Sequence, residues 1–350
     1  MGYMRVLVSM AALVVGAVWL AVPGSYPYGA ADRVTVGVTH WIERDAGVAL
    51  MLVSGAFGLL LAAVGRSWPR VATAGAAAQA AFFLLVMSDA GVLSSIGYAA
   101  IPLLVAGVVA VVVAGCVRRY PVAFVAAALL VAGAVVGLGN GVIIGYAYNL
   151  AKGFGSYAGR IGWAWGMALA AAAWAWVALR GRGTAERAGG PVRWGRWVTV
   201  AAAVGALPYA VARLSWATPW PLGGYDPVGG HVILVMPGGG DAATRLQGFM
   251  IGMSSVLGLV LTLGLISRWG EVFPRWMPRV GGRDVPVMLA VVPGTFAAAV
   301  LCVAAPGVLA GAVQMDGWFD RVVFVLLFPC PIWGPLLGAA VYAYWRRRTA

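Results

Sequence analysis

Residues 197–214 read Trp197-Val198-Thr199-Val200-Ala201-Ala202-Ala203-Val204-Gly205-Ala206-Leu207-Pro208-Tyr209-Ala210-Val211-Ala212-Arg213-Leu214. Only one charge, Arg213, falls in this run, and it stands at the end. A helix that crosses the ~30 Å hydrocarbon core of a bilayer needs about 20 such residues. Outward from this run lie a Gly/Pro-rich stretch over 215–245, then a second apolar run over 246–267. That run ends in the basic, tryptophan-rich Arg268-Trp269-Gly270-Glu271-Val272-Phe273-Pro274-Arg275-Trp276-Met277-Pro278-Arg279. Apolar run, polar loop, apolar run, basic loop is the pattern of the whole chain. It decides the fold class: an all-α, polytopic integral membrane helix bundle.

Composition agrees. Of 350 residues, 62% are hydrophobic and 10% charged, against roughly 25% charged in soluble domains. A chain with mean hydropathy +0.90 has lipid as its fitting solvent. The 50 glycines suit closely packed membrane helices. Cys116, Cys302 and Cys330 form no CxxC pair, and there are 2 histidines, so a disulfide framework, a zinc site and a haem are disfavoured. No cofactor and no metal site is expected.

The ~20-residue ruler places ten helices at roughly 4–22, 46–64, 71–88, 97–116, 122–146, 160–179, 197–214, 246–267, 286–306 and 320–343. No barrel-like alternation is visible. The first run, Val6 to Val22, is long for a cleaved signal peptide and is read as a retained helix. Gly- and Arg-rich residues 180–196 divide the chain into a first half of six helices (1–185) and a second of four (186–350). A parallel 4+2+4 repeat is weighed on Met87-Ser88-Asp89-Ala90-Gly91 against Gln314-Met315-Asp316-Gly317.

Charge sets orientation. With the N-terminus in the cytoplasm, 17 of the 24 Lys and Arg residues fall in inner loops and 7 outside. The positive-inside rule then places both termini in the cytoplasm and the chain in the cell membrane as a multi-pass protein. The formal charge of +13 is therefore a topology signal with anionic lipid headgroups as its partner, and nucleic-acid binding is not needed to explain it. In the basic loop, Glu271 is expected to pair with Arg268 or Arg275. Leu207-Pro208-Tyr209 reads as a bend, and Pro329, Pro331 and Pro335 as a kink or interruption of the last span.

Leu207-Pro208-Tyr209-Ala210 with Trp216, followed by Arg268-Trp269-Gly270-Glu271, Phe273-Pro274-Arg275-Trp276, Pro278, Gly281-Gly282-Arg283 and Val285-Pro286, resembles polytopic membrane proteins of high-GC actinobacteria that have no known activity. The likeness covers about the last 150 residues. It implies a topology, and no functional residue carries over from it.

Polar groups inside the hydrocarbon are the best pointers to function. Gly137-Leu138-Gly139-Asn140-Gly141 admits two readings, a helix break lining a cavity or close helix packing. The cavity candidates are Asn140, Gln247, Tyr209 and Arg213; Asp89 is expected near a helix end, in reach of water. The outer loops supply Asp32, His40, Glu43, Asp45 and His231. Three functions follow in order: a small-molecule transporter or permease, a non-catalytic subunit anchoring a partner, and a transferase whose Asp32, Glu43 and Asp45 meet at the outer face. The balance leans away from an enzyme. The transporter reading expects an aqueous cavity at the midplane, lined by Asn140 and Gln247.

Overall fold

The computed structural model describes residues 2–29, 32, 37–181, 192–225, 232–235, 241–275, 277 and 280–349. The helices are α1 (Gly2–Ala21), α2 (Arg44–Val64), α3 (Pro69–Phe82, continued by a π-helical turn over Phe83–Met87), α4 (Gly91–Val117), α5 (Pro121–Gly139), α6 (Val142–Gly181), α7 (Gly195–Gly205) and α8 (Leu207–Leu214). A short antiparallel ribbon, β1 (Leu222–Tyr225) and β2 (Val232–Val235), pairs Leu222 with Val235 and Tyr225 with Val232. It lies within what the sequence reads as a turn-rich loop. Then come α9 (Ala242–Gly264), α10 (Val287–Val313), α11 (Trp318–Leu327) and α12 (Cys330–Thr349).

Among the described residues, 10 helical segments are long and apolar enough to cross a membrane. The helix bundle is therefore the fold. Two segments are broken where proline withholds an N–H: α7 passes to α8 at Ala206, just before Pro208, and α11 to α12 around Pro329. Connectors alternate between two ends of the bundle. One end, the basic face, carries Arg66, Arg118, Arg119 and residues 265–275 and 280–286; the other, the loop face, carries residues 22–29, 37–43, 215–225 and 232–235.

One boundary differs from the sequence reading. The fifth span ends at Gly139, and Asn140 and Gly141 form a tight turn, Gly141 at φ 71°. A left-handed backbone there is why glycine holds the position. The following α6 has 40 residues, about 60 Å at 1.5 Å per residue, twice the hydrocarbon thickness. Its first half touches the start of α9, where Gly145 meets Ala243, and α4, where Phe154 meets Tyr98 edge-on at 6.3 Å. Its second half packs on α3.

Two cores result. The first gathers Trp19, Met51, Leu61, Phe83 and Trp174 from α1, α2, the π turn and α6. The second gathers Ala202, Leu301, Ala304, Leu337 and Tyr344 from α7, α10 and α12. Val92 of α4, Ala164 of α6 and Val300 and Val303 of α10 join them, so α4 crosses the boundary between halves. Helix pairing differs between the two sets of the weighed repeat: α10 and α12 pack along their length, whereas α3 and α4 make little or no contact. A Cβ on Gly334 would stand 2.9 Å from the backbone nitrogen of Cys302, so α12 can approach α10 only without one. Gln79 and Ser54 are buried and satisfy each other: Ser54 Oγ donates to Gln79 Oε1 (2.8 Å), and Gln79 Nε2 to Ser54 O (2.6 Å).

Candidate functional site: a bundle-length cavity and a buried ion cluster

A cavity of about 1050 Å³ lies between α4, α8, α9, α10, α11 and α12. It is at the upper end of the range for ligand pockets. Its lining runs from Thr244 at the start of α9 to Leu265 and Trp269 past its end, about 30 Å along the helix. Most of the wall is apolar, including Ile96, Ile251, Leu301, Phe328 and Leu337. Leu261, Leu289 and Phe296 line it and are each half or more exposed. The cavity therefore opens sideways, toward where lipid would lie.

Small residues and backbone bonds build its loop-face end. A Cβ on Gly248 would run into the Trp216 indole, and one on Gly252 would stand 2.9 Å from Leu214 N and 3.1 Å from Arg213 C. Glycine at these positions lets α8 lie directly on α9. Arg245 secures the joint by donating from Nε to Trp216 O (3.1 Å) and from Nη2 to Thr218 O (2.6 Å). Trp216 Nε1 donates to Leu222 O (2.8 Å). Arg213 is thereby held with its guanidinium 5.2 Å from the Tyr209 ring centre and 4.6 Å from that of Trp216.

The polar lining divides sharply. The hydroxyls of Ser254 and Ser255 donate to Ile251 O, and that of Thr262 to Gly258 O, so these are spent on their own helix. Thr244 bonds Asp241, which holds the Asp241 carboxyl below its usual range. Arg213 and Gln247 keep unspent donors, Trp333 Nε1 is buried without an acceptor, and no carboxylate lines the cavity. These statements hold among the described residues.

At the basic face the loop after α9 closes the cavity with Trp269, Phe273, Pro274 and Met277. It folds on itself, Phe273 N donating to Arg283 O (2.9 Å) and Val285 N to Glu271 O (2.8 Å). Its carboxylate does not pair with Arg268 or Arg275 as expected from the sequence. Glu271 Oε1 accepts from Arg347 Nη2 at 2.9 Å, and Arg347 also donates to Leu265 O (2.6 Å). Tyr344 Oη donates to Gly270 O (2.9 Å) and Arg348 to Val285 O (3.1 Å). The last turn of α12 reaches these groups because α12 runs back to the same face.

The second feature sits at the loop face of the first core. Arg160 of α6 donates from Nη1 to Asp89 Oδ2 (2.6 Å) and from Nε to Asp32 Oδ2 (2.9 Å). Asp89 has 0% of its side chain exposed and Asp32 5%. Gly91 N donates to Asp89 Oδ1 (2.6 Å), and the Tyr28 ring covers the guanidinium at 4.7 Å. Burial raises the Tyr28 hydroxyl well above its usual range and pushes that of Tyr26, which donates to Ile42 O (2.7 Å), up to about 12. The expectation that Asp89 reaches water is corrected here: the polypeptide over Gly37 and Thr39 packs across it, and Gly37 pairs with Asp89 through the backbone.

Of the sequence candidates, Gln247, Tyr209 and Arg213 line one cavity. Asn140 does not; it lies exposed at the α5–α6 turn, because the glycines around it end the helix and do not open a break within it. Asp32 is sealed in the ion cluster, whereas Glu43 and Asp45 begin α2, Asp45 with 93% of its side chain exposed. These three carboxylates do not share a pocket. His40 lies in a short 3-10 turn, Val38–Trp41, with Nδ1 buried and unbonded among the described residues. His231 lies outside the described residues. Sequence reasoning missed Arg160 as the partner of two acids 71 and 128 residues away; an arginine at the start of the sixth apolar run was the available signal.

Compared with family models, with curated proteins and with solved structures, the chain matches none.

Proposed function

We propose that this integral membrane protein is a carrier for a hydrophobic small molecule, moving it along the cavity between α4, α9 and α10 in the cell membrane, with the basic face in the cytoplasm. The carrying observation is a mainly apolar cavity about as long as the bilayer core is thick, open sideways through Leu261, Leu289 and Phe296. An aqueous path for a polar solute would need polar groups along its length. Here the hydroxyls at mid-length are already bonded to their own helix. The transferase alternative loses support because Asp32, Glu43 and Asp45 lie in different surroundings. The anchor alternative has only the all-round exposure of α5, which lipid contact alone accounts for. The orientation rests on the alternation of basic connectors.

The test uses the full chain in liposomes and a fluorescent short-chain phosphatidylglycerol whose outer-leaflet share is bleached chemically. Gly97 and Gly258 line the cavity, and a Cβ on either would meet nothing within 4 Å, so Gly97→Phe and Gly258→Phe put a ring into the path with no clash at its Cβ. The wild-type chain should speed transbilayer movement, and each variant should slow it at least tenfold. A wild-type rate equal to that of protein-free liposomes, or variants as fast as wild type, would sink the carrier reading.

A further inference from the structure

We infer that the cavity takes a lipid with an anionic, phosphate-bearing head, and that Arg213 with Gln247 forms the head subsite at the loop-face end. The inference rests on the carrier reading above and names its substrate class. Among the described residues the cavity is lined by one cation and no acid. An arginine at a membrane-level cavity is costly unless a negative group compensates it. Elsewhere in this chain that compensation is visible: Arg160 has two carboxylates and Arg347 has Glu271. Among the described residues Arg213 has only the rings of Tyr209 and Trp216 beside it. Both rings lie within cation–π distance of the guanidinium, and its N–H groups keep donors for an acceptor.

The subsite is also built for permanence. Trp216 is buried, fixed through its Nε1 to Leu222 O, and pressed on Gly248. Gln247 precedes Gly248 on α9, lines the same cavity and has no bonded partner among the described residues. Together they offer a guanidinium fork and an amide to phosphate oxygens, a charge-assisted arrangement. Beyond this end the wall is mainly apolar, with the Ser254, Ser255 and Thr262 hydroxyls bonded to their own helix, which disfavours a free anion as the occupant and calls for acyl or isoprenoid chains attached to the head. A neutral lipid would leave the guanidinium unpaired.

The experiment measures binding of three probes to the full chain in detergent micelles: dioleoyl phosphatidic acid, dioleoylglycerol and glycerol 3-phosphate. Wild type should bind phosphatidic acid at least tenfold more tightly than dioleoylglycerol and should not bind glycerol 3-phosphate at the same concentrations. Arg213→Gln should weaken phosphatidic acid about 10- to 100-fold, as loss of a hydrogen bond to a charged group does, and leave dioleoylglycerol unchanged. Arg213→Lys, which keeps the charge and can still cover Tyr209, should fall between. That variant and Gln247→Leu guard against misfolding of the glutamine variant. Equal binding of both lipids to wild type, or Arg213→Gln with unchanged head preference, overturns the anionic-head assignment while the carrier reading stands. Glycerol 3-phosphate binding as tightly as the lipid overturns the requirement for a tail. Binding of both lipids undiminished by Gly258→Phe would instead remove the cavity itself as the site.

Discussion

Replacing Arg160 by methionine tests whether the ion cluster is sealed from water as the geometry states. Removing one partner of a buried pair generally costs about 3–5 kcal/mol. Here the loss takes the Arg160 guanidinium away from Asp89, with 0% of its side chain exposed, and from Asp32, with 5%. A stranded carboxyl can escape burial as an anion by taking up a proton. From an ordinary carboxyl near pH 3.9 that uptake costs about 1.4 kcal/mol per pH unit, hence about 4 kcal/mol at pH 7 and about 1.5 kcal/mol at pH 5. The destabilisation of Arg160→Met should therefore be about 4 kcal/mol or more at pH 7 and should shrink to less than half at pH 5. Unfolding of wild type and variant in mixed micelles with rising dodecyl sulfate, followed by tryptophan fluorescence, reads both numbers. Adding Asp89→Asn to Arg160→Met should recover part of the loss at pH 7. A loss under about 1 kcal/mol, or one equal at the two pH values, would mean that water reaches Asp89.

Three further outcomes follow from the packing. Gly252→Val should cost about 1–3 kcal/mol by overpacking, because its Cβ would meet backbone of residues 213 and 214, which cannot step aside; Gly258→Ala, facing open space, is the control that should leave unfolding unchanged. Arg347→Gln should release the loop after α9 and raise amide exchange over residues 268–275, with a stability cost of about 1 kcal/mol or less since the pair is about one-third exposed. Gln79→Leu should cost about 0.6–2 kcal/mol, the range for interhelical hydrogen bonds in membranes, and adding Ser54→Ala should cost little more because the Ser54 hydroxyl donates to Gln79 Oε1, already lost, while Gln79 Nε2 uses the Ser54 main-chain carbonyl.

The ten spans were legible because lipid leaves helices few alternatives, so length and apolarity alone mark them. The prolines at 208 and 329 were legible for the same kind of local reason: a missing N–H acts on its own turn. The failures share a cause. Asn140 lies among glycines that could break a helix within the bilayer or end it, and the outcome depends on where α6 turns back. Glu271 found Arg347 over Arg268 because α12 returns to the same face 76 residues later. Arg160 likewise needed positions 32 and 89 brought to it by tertiary structure. Pairings set by topology have no period to read.

The two features are joined through α4. Its cavity-facing residues, Leu93, Ile96, Gly97 and Tyr98 among them, form one wall, yet little of its length is buried. Near its loop-face end, Val92 is buried against the α6–α10 layer. Asp89, two residues before the helix, is fixed by Arg160 and by the bond from Gly91 N. Buried charge thus holds the end of α4 that lies nearest Arg213's side of the cavity, while the remainder rests on weaker apolar contact with α5, α9 and α10. If this is the anchor of the wall, Arg160→Met should alter lipid binding as well as stability, although Arg160 does not line the cavity. A variant that loses stability at pH 7 but binds phosphatidic acid like wild type would separate the two features and leave α4 positioned by packing alone.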